Sequence, residues 1–220
     1  NLPHSITVAR IAATPFIAAL PFASGTGTRL AAFVLFVMAA VTDYWDGHLA
    51  RTRNLVTDLG RLLDPLADKL LLVATLVPMY WLMRGAALLL PHDPATGPAL
   101  ASATYEAFAF VTPAGVVTLP LWMVLLVLGR EAFMTAFRQF AARRGTVIAA
   151  IGPAKWKTAL QSVWVGAAYF WFFAASLAAH RGWEAERAWR AFAQFNGVVG
   201  TLSMFGAVGL TLWSLGLYLR

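Results

Sequence analysis

The sequence predicts an all-α bundle of about six membrane-crossing helices with an interfacial first segment, and three observations predict it. Of the 220 residues, 60% are hydrophobic and 12% charged, against roughly 45–50% and about 25% in soluble domains. The apolar residues gather in runs long enough to cross hydrocarbon, which takes about 20 helical residues. Short connections separate these runs and no polar linker divides the chain, so a single domain over 1–220 is expected.

Asn1 to Arg10 mixes polar and apolar residues, with Pro3 and Thr7 near a helix start, and leads into IAATPFIAALPFA. This reads as a short helix that lies at the interface before entering the bilayer. NLPHSITVAR lacks the basic region that precedes the apolar core of a cleavable signal peptide. Ser24 to Thr28, SGTGT, is a turn, and a second helix runs from Arg29 to about Ala50. RTRNLVT connects it to a third, capped by Thr57 and Asp58, which tolerates Pro65 near its start and crosses back through LLLVATLVPMYWLM. Arg84 to about Gly115, which includes HDPATGP, is expected to be a loop with a short interfacial segment. A fourth helix spans VVTLPLWMVLLVLGREAFMTAFRQFAARR, long enough to project past the hydrocarbon. GTVIAAIGPAKWK is a basic connection, TALQSVWVGAAYFWFFAASLAA a fifth span, HRGWEAERAWR a connection and FNGVVGTLSMFGAVGLTLWSLGLYL a sixth span.

The charge pattern sets orientation and excludes some partners. The net charge of +7 suits anionic lipid surfaces and phosphorylated substrates better than nucleic acid, because the basic residues sit at helix ends rather than in a stripe. Arg51, Arg53, Arg143, Arg144, Lys155, Lys157 and Arg220 fall on one side, against Arg29, Arg84, Arg181, Arg187 and Arg190 on the other, a modest bias that makes the first side cytoplasmic. Trp45, Trp81, Trp156, Trp183 and Trp189, near helix ends, fit interfacial belts. The chain has no cysteine, so thiol and disulfide chemistry are excluded.

Five of the ten acidic residues, Asp43, Asp46, Asp58, Asp64 and Asp68, fall in DYWDGHLARTRNLVTDLGRLLDPLADK, with almost uninterrupted apolar sequence on both sides. Carboxylates in or near hydrocarbon cost several kcal/mol unless paired or metal-bound, which marks the cluster as a functional site. Asp43 and Asp46 stand i, i+3 and Asp64 and Asp68 i, i+4, so each pair occupies one helical face. Two such helices facing each other build a four-carboxylate cup. Its mutual repulsion is relieved by hard, oxygen-loving cations such as Mg²⁺ or Mn²⁺, which keep open positions for substrate phosphates.

A second constellation is basic. Arg130 and Arg138, eight residues apart, share a face of the fourth helix, and Lys155 and Lys157 follow in the connection to the fifth. Basic groups facing a bundle interior need an anionic partner, either the carboxylate cup or a substrate phosphate, which Arg grips bidentately and Lys as a point charge. Arg143 and Arg144 read as snorkelling residues, and Glu131 as a partner for a neighbouring arginine.

At the aspartates the sequence resembles a family. Asp43-x2-Asp46-Gly47-x2-Ala50-Arg51-x8-Gly60-x3-Asp64-x3-Asp68 matches the signature of the CDP-alcohol phosphotransferases at every defined position and gap. GREAFMTAFRQF followed by IGPAKWKTALQ is similar to the corresponding region of the bacterial phosphatidylglycerophosphate synthases within that family, as are NLPHSITVARI and LTLWSLGLYL, while Arg84 to Gly115 departs from them. The resemblance implies that Asp43, Asp46, Asp64 and Asp68 bind two divalent cations, Mg²⁺ or Mn²⁺, and that Asp68 is also the general base. It implies that Gly47, Arg51, Thr57 and, more weakly, Thr7 contact the CDP moiety, and that Arg130, Arg138, Lys155 and Lys157 form a glycerol-phosphate pocket. The implied substrates are CDP-diacylglycerol and sn-glycerol 3-phosphate, in a bacterial inner or plasma membrane with the site facing the cytoplasm, and a homodimer is compatible. Three alternatives stay open: a different acceptor (inositol phosphate, serine or a second lipid), a membrane prenyltransferase, whose aspartate motifs are spaced differently, and a cation transporter using the same carboxylates.

Overall fold

The computed structural model describes residues 2–52, 58–89, 108–144 and 153–218. Its helices are α1 (Leu2–Ala19), α2 (Thr26–Thr52), α3 (Asp58–Leu89), α4 (Leu121–Arg143), α5 (Pro153–Arg181) and α6 (Arg187–Tyr218), with a short antiparallel hairpin, β1 (Phe110–Thr112) and β2 (Gly115–Val117), between α3 and α4. The all-α expectation therefore holds apart from one hairpin. Four helices carry segments long and apolar enough to cross a membrane: Thr26–Asp43 in α2, Leu63–Arg84 in α3, Trp156–Arg181 in α5 and Arg187–Leu217 in α6. The chain is a polytopic membrane protein.

The two remaining helices are cut short by identifiable residues. In α1 the apolar stretch is Ile6–Phe22; Pro21 turns its end into a single 3₁₀ turn, closed by the Ala23 N–H on the Leu20 carbonyl at 3.1 Å. In α4 the apolar run ends at Gly129, where Arg130 and Glu131 follow. Six helices are thus present among the described residues, and four of them meet the length and hydropathy that spanning requires.

At the centre of the bundle stands α5, because it carries the largest buried side chains. Trp164, Tyr169, Trp171 and Phe172 are at most 1% exposed. The Tyr169 hydroxyl lies 3.2 Å from both the Ile17 carbonyl of α1 and the Ala74 carbonyl of α3, which ties three helices at one point. Trp171 stacks on Trp189 of α6 with ring centroids 5.6 Å apart, so Trp189 belongs to the core and not to an interfacial belt. Trp45, Trp81 and Trp156 are exposed, as a belt requires. On the outer surface Met38, Leu125, Leu202, Phe205 and Trp213 are more than half exposed, an apolar coat that suits lipid and not water.

The hairpin is the main departure from expectation. The stretch from Arg84 to Gly115 reads as a loop, yet α3 continues through Leu89, and FVTPAGVV pairs Phe110 with Val117 and Thr112 with Gly115. Gly115 supplies a φ of 129°, and the Thr112 hydroxyl closes the turn on the Gly115 carbonyl at 2.6 Å. The hairpin lies in a notch of α6: a Cβ at Gly197 would come 1.9 Å from the Val111 carbonyl oxygen, and one at Gly200 would come 2.4 Å from the Phe110 ring. Two three-residue strands carry no alternation long enough to be read from the sequence.

Candidate active site

Three helices bring the aspartates together. Asp43 comes from the C-terminal half of α2, Asp64 and Asp68 from the first turns of α3, and α1 lies against both. The i, i+3 spacing of Thr7 and Arg10 puts them on one face of α1, directed at the carboxylates. The Thr7 hydroxyl donates to Asp64 Oδ1 at 2.9 Å. Arg10 Nη1 donates to Asp68 Oδ1 at 2.9 Å and also to Asp43 Oδ1. Asp43 and Asp64 are both close enough to Asp68 for their charges to act on it.

Exposure is divided sharply within this group. The Arg10 side chain is 1% exposed, whereas those of Asp43 and Asp68 are 42% and 58% exposed. The guanidinium is therefore a buried floor under carboxylates that open outward. Asp43 and Asp68 border a cavity of about 180 Å³ whose wall also includes Lys69, Thr75, Glu131, Lys157 and Gln161.

Carboxylates that already converge on a cationic Nη1 present hard anionic oxygens to the cavity, the chemistry Mg²⁺ and Mn²⁺ prefer. Among the described residues no three acidic or histidine side chains form a ready metal cage; the side chain of Asp46, the fourth aspartate of the motif, lies outside the described residues. The residues present fit such ions, with Arg10 sharing the same oxygens.

Opposite the aspartates a second ionic cluster joins α4 to α5 and α6. Glu131 accepts hydrogen bonds from Arg130 Nη1 at 2.9 Å and from the Lys157 ammonium. Arg130 Nη2 donates to Ser214 Oγ of α6 at 2.8 Å. Arg138 is exposed and near enough for its charge to bear on Lys157. Of the basic residues singled out in the sequence, Lys157 lines the cavity, Arg138 stands close to it, and Arg130 faces a groove between α4 and α6 instead. The side chains of Lys155 and Arg51 and the surroundings of Gly47 lie outside the described residues, as does the whole of Thr57.

Two members of the site are not evident in the sequence reading. Arg10 carries the only signal available for it, the i, i+3 pairing with Thr7 ahead of an apolar run, and that also describes an interfacial helix. Gln161 stands i+4 from Lys157 on α5 and closes the segment IGPAKWKTALQ, in which only the lysines carry a charge that marks them out.

Residues 1–213 match the CDP-alcohol phosphatidyltransferase family. The chain is 35% identical over 179 residues to a CDP-diacylglycerol–glycerol-3-phosphate 3-phosphatidyltransferase of Bacillus subtilis (strain 168), covering 76% of this chain and 75% of that protein. It is 30% identical over 224 residues to CDP-diacylglycerol–glycerol-3-phosphate 3-phosphatidyltransferase 2 of Arabidopsis thaliana, covering 100% and 78%. A cardiolipin synthase (CMP-forming) of Oryza sativa subsp. japonica is 34% identical over 165 residues, covering 73% of this chain and 43% of the relative. With the aspartate motif on two helices that meet at one cavity, and a family match across nearly the whole chain, this protein belongs to the CDP-alcohol phosphatidyltransferase family.

Proposed function

We propose that the protein transfers the phosphatidyl group of CDP-diacylglycerol to the sn-1 hydroxyl of sn-glycerol 3-phosphate, giving phosphatidylglycerol phosphate and CMP. The observation that carries this reading is one cavity whose wall brings Asp43 and Asp68 together with Lys157. A carboxylate cup serves a nucleotide diphosphate, and a cation in the same wall serves a phosphorylated acceptor. The relatives whose names give these substrates support the same choice.

Asp43, Asp46, Asp64 and Asp68 are the residues that would hold divalent cations. Bound there, the ions offset charge on the diphosphate and on the departing CMP. Ionised Asp68 takes the proton of the acceptor hydroxyl, and the oxygen attacks the lipid-bearing phosphorus in line. The new P–O bond forms as the bond to the CMP oxygen breaks, so no phospho-enzyme is needed. Gly47, Arg51, Thr57 and Thr7 contact the CDP moiety. Lys157, Lys155 and Arg138 receive the acceptor phosphate, while Arg130 reaches that cluster through Glu131. The site faces the cytoplasm, on the side where the seven-residue basic set lies, and opens to both lipid and water because one substrate carries acyl chains and the other is soluble.

The rival reading is a different acceptor: inositol phosphate, serine, or a second lipid such as phosphatidylglycerol. Purified protein given CDP-diacylglycerol, Mn²⁺ and each acceptor in turn tests both. Glycerol 3-phosphate should release CMP fastest, and faster release with any of the others would replace this acceptor.

A further inference from the structure

Gln161 is a buried polar side chain that neither ionic cluster uses. It stands one turn along α5 from Lys157, on the same face, and borders the cavity shared by Asp43, Asp68, Glu131 and Lys157. The residue is 7% exposed, and its Nε2 is buried without a hydrogen-bond partner. Folded proteins pair nearly all such donors, and the cavity that Gln161 borders is where a ligand can bring the missing partner as the amide turns to meet it.

The chemistry of the position narrows that partner. Gln161 is neutral, so it does not compensate an anion as Lys157 does. Thr75, Thr158 and Ser162 also line the cavity, but Gln161 is the neutral side chain of that wall whose buried donor lacks a partner. A ligand that spans from the aspartates to Lys157 presents its reacting hydroxyl at one end and its phosphate at the other. The group left for a neutral donor between them is an uncharged oxygen on the intervening carbon. We propose that Gln161 is a specificity-determining residue that donates from Nε2 to the C2 hydroxyl of the acceptor. This rests on reading the cavity as the glycerol 3-phosphate site and adds the selection of a polyol chain over a plain alkanol phosphate.

The test compares sn-glycerol 3-phosphate with 3-hydroxypropyl phosphate, which keeps the reacting hydroxyl and the phosphate but lacks the C2 hydroxyl. Initial rates are measured on the full-length protein in mixed micelles with CDP-diacylglycerol and Mn²⁺. The unmutated enzyme should prefer glycerol 3-phosphate by about 10-fold or more in kcat/KM, because a site built around a hydrogen-bonded hydroxyl rejects the analogue lacking it. Gln161→Met keeps side-chain length and removes the donor. It should lower kcat/KM for glycerol 3-phosphate roughly 10-fold, leave 3-hydroxypropyl phosphate within about twofold and leave the KM for CDP-diacylglycerol unchanged. An equal loss with both acceptors, or a preserved preference, would overturn the assignment and leave Gln161 a packing residue. Should Gln161→Met not insert, Gln161→Leu, which likewise has no donor or charge, provides the same comparison, and a lack of preference in the unmutated enzyme overturns the proposal without any variant. Turnover with neither acceptor in the unmutated enzyme would overturn the acceptor reading beneath it, which is a separate failure.

Discussion

Asp64 is the site carboxylate whose removal separates chemistry from folding most cleanly. It accepts a hydrogen bond from the Thr7 hydroxyl. Asp64→Asn keeps the volume and an oxygen acceptor for Thr7 but deletes the charge a divalent ion needs. Turnover should fall by orders of magnitude while the protein still inserts and purifies; near-normal rates at saturating Mg²⁺ would remove Asp64 from the metal set. Arg10 should behave in the opposite way. It lies buried beneath Asp43 and Asp68, so Arg10→Met leaves those carboxylates without their shared cation. Breaking a fully buried ion pair costs about 3–5 kcal/mol. These carboxylates are roughly half exposed and water screens them, so the cost is only a fraction of that. A lowered thermal midpoint in the metal-free protein is expected, and an unchanged midpoint would show that the carboxylates do not depend on Arg10. The aspartate motif was legible because five acids in an apolar chain have few bland explanations. Arg10 was not, since a basic residue near a helix start looks the same whether it snorkels or turns inward.

At the scale of elements, the hairpin and the notch in α6 form a second centre of order far from the chemistry. Gly197 and Ser214 are 17 residues apart on one helix, about 25 Å at 1.5 Å per residue, and Ser214 is the end that meets Arg130. Gly197→Ala gains up to about 1 kcal/mol of helix propensity. It also drives a methyl group to 1.9 Å from the Val111 carbonyl oxygen, a backbone contact that cannot rotate away. Such overpacking costs about 1–3 kcal/mol, so the net effect should be a lower thermal midpoint with kcat/KM preserved. A midpoint equal to that of the unmutated protein would mean the hairpin sits elsewhere. The long helices were legible because apolar runs of 20 residues have one outcome in a bilayer. The hairpin was not, since its strands are three residues each and the contacts that fix it come from Gly197 and Gly200, some 85 positions downstream.

At the scale of the whole molecule, acceptor choice depends on how the bundle distributes its charges. Helices α2 and α3 contribute Asp43, Asp68 and Lys69 to the cavity wall, and α4 with α5 contributes Glu131 and Lys157, with Arg138 near enough for its charge to bear on Lys157. Glu131 already partners Lys157 and Arg130, and Arg138, exposed two turns further along α4, is the side chain proposed to meet an incoming phosphate. A site that gathers cations for a dianion discriminates strongly against an acceptor lacking it, because the cations lose their compensation. Glycerol should therefore be a very poor substitute for glycerol 3-phosphate. Arg138→Gln should raise the KM for glycerol 3-phosphate about tenfold or more with little change in the KM for CDP-diacylglycerol. If the phosphate also positions the attacking hydroxyl for Asp68, kcat falls as well. Initial rates varied against each substrate separate these effects. Equal changes in both KM values would assign Arg138 to the interface, and efficient use of serine or inositol by the unmutated protein would move the enzyme to another acceptor class within its family.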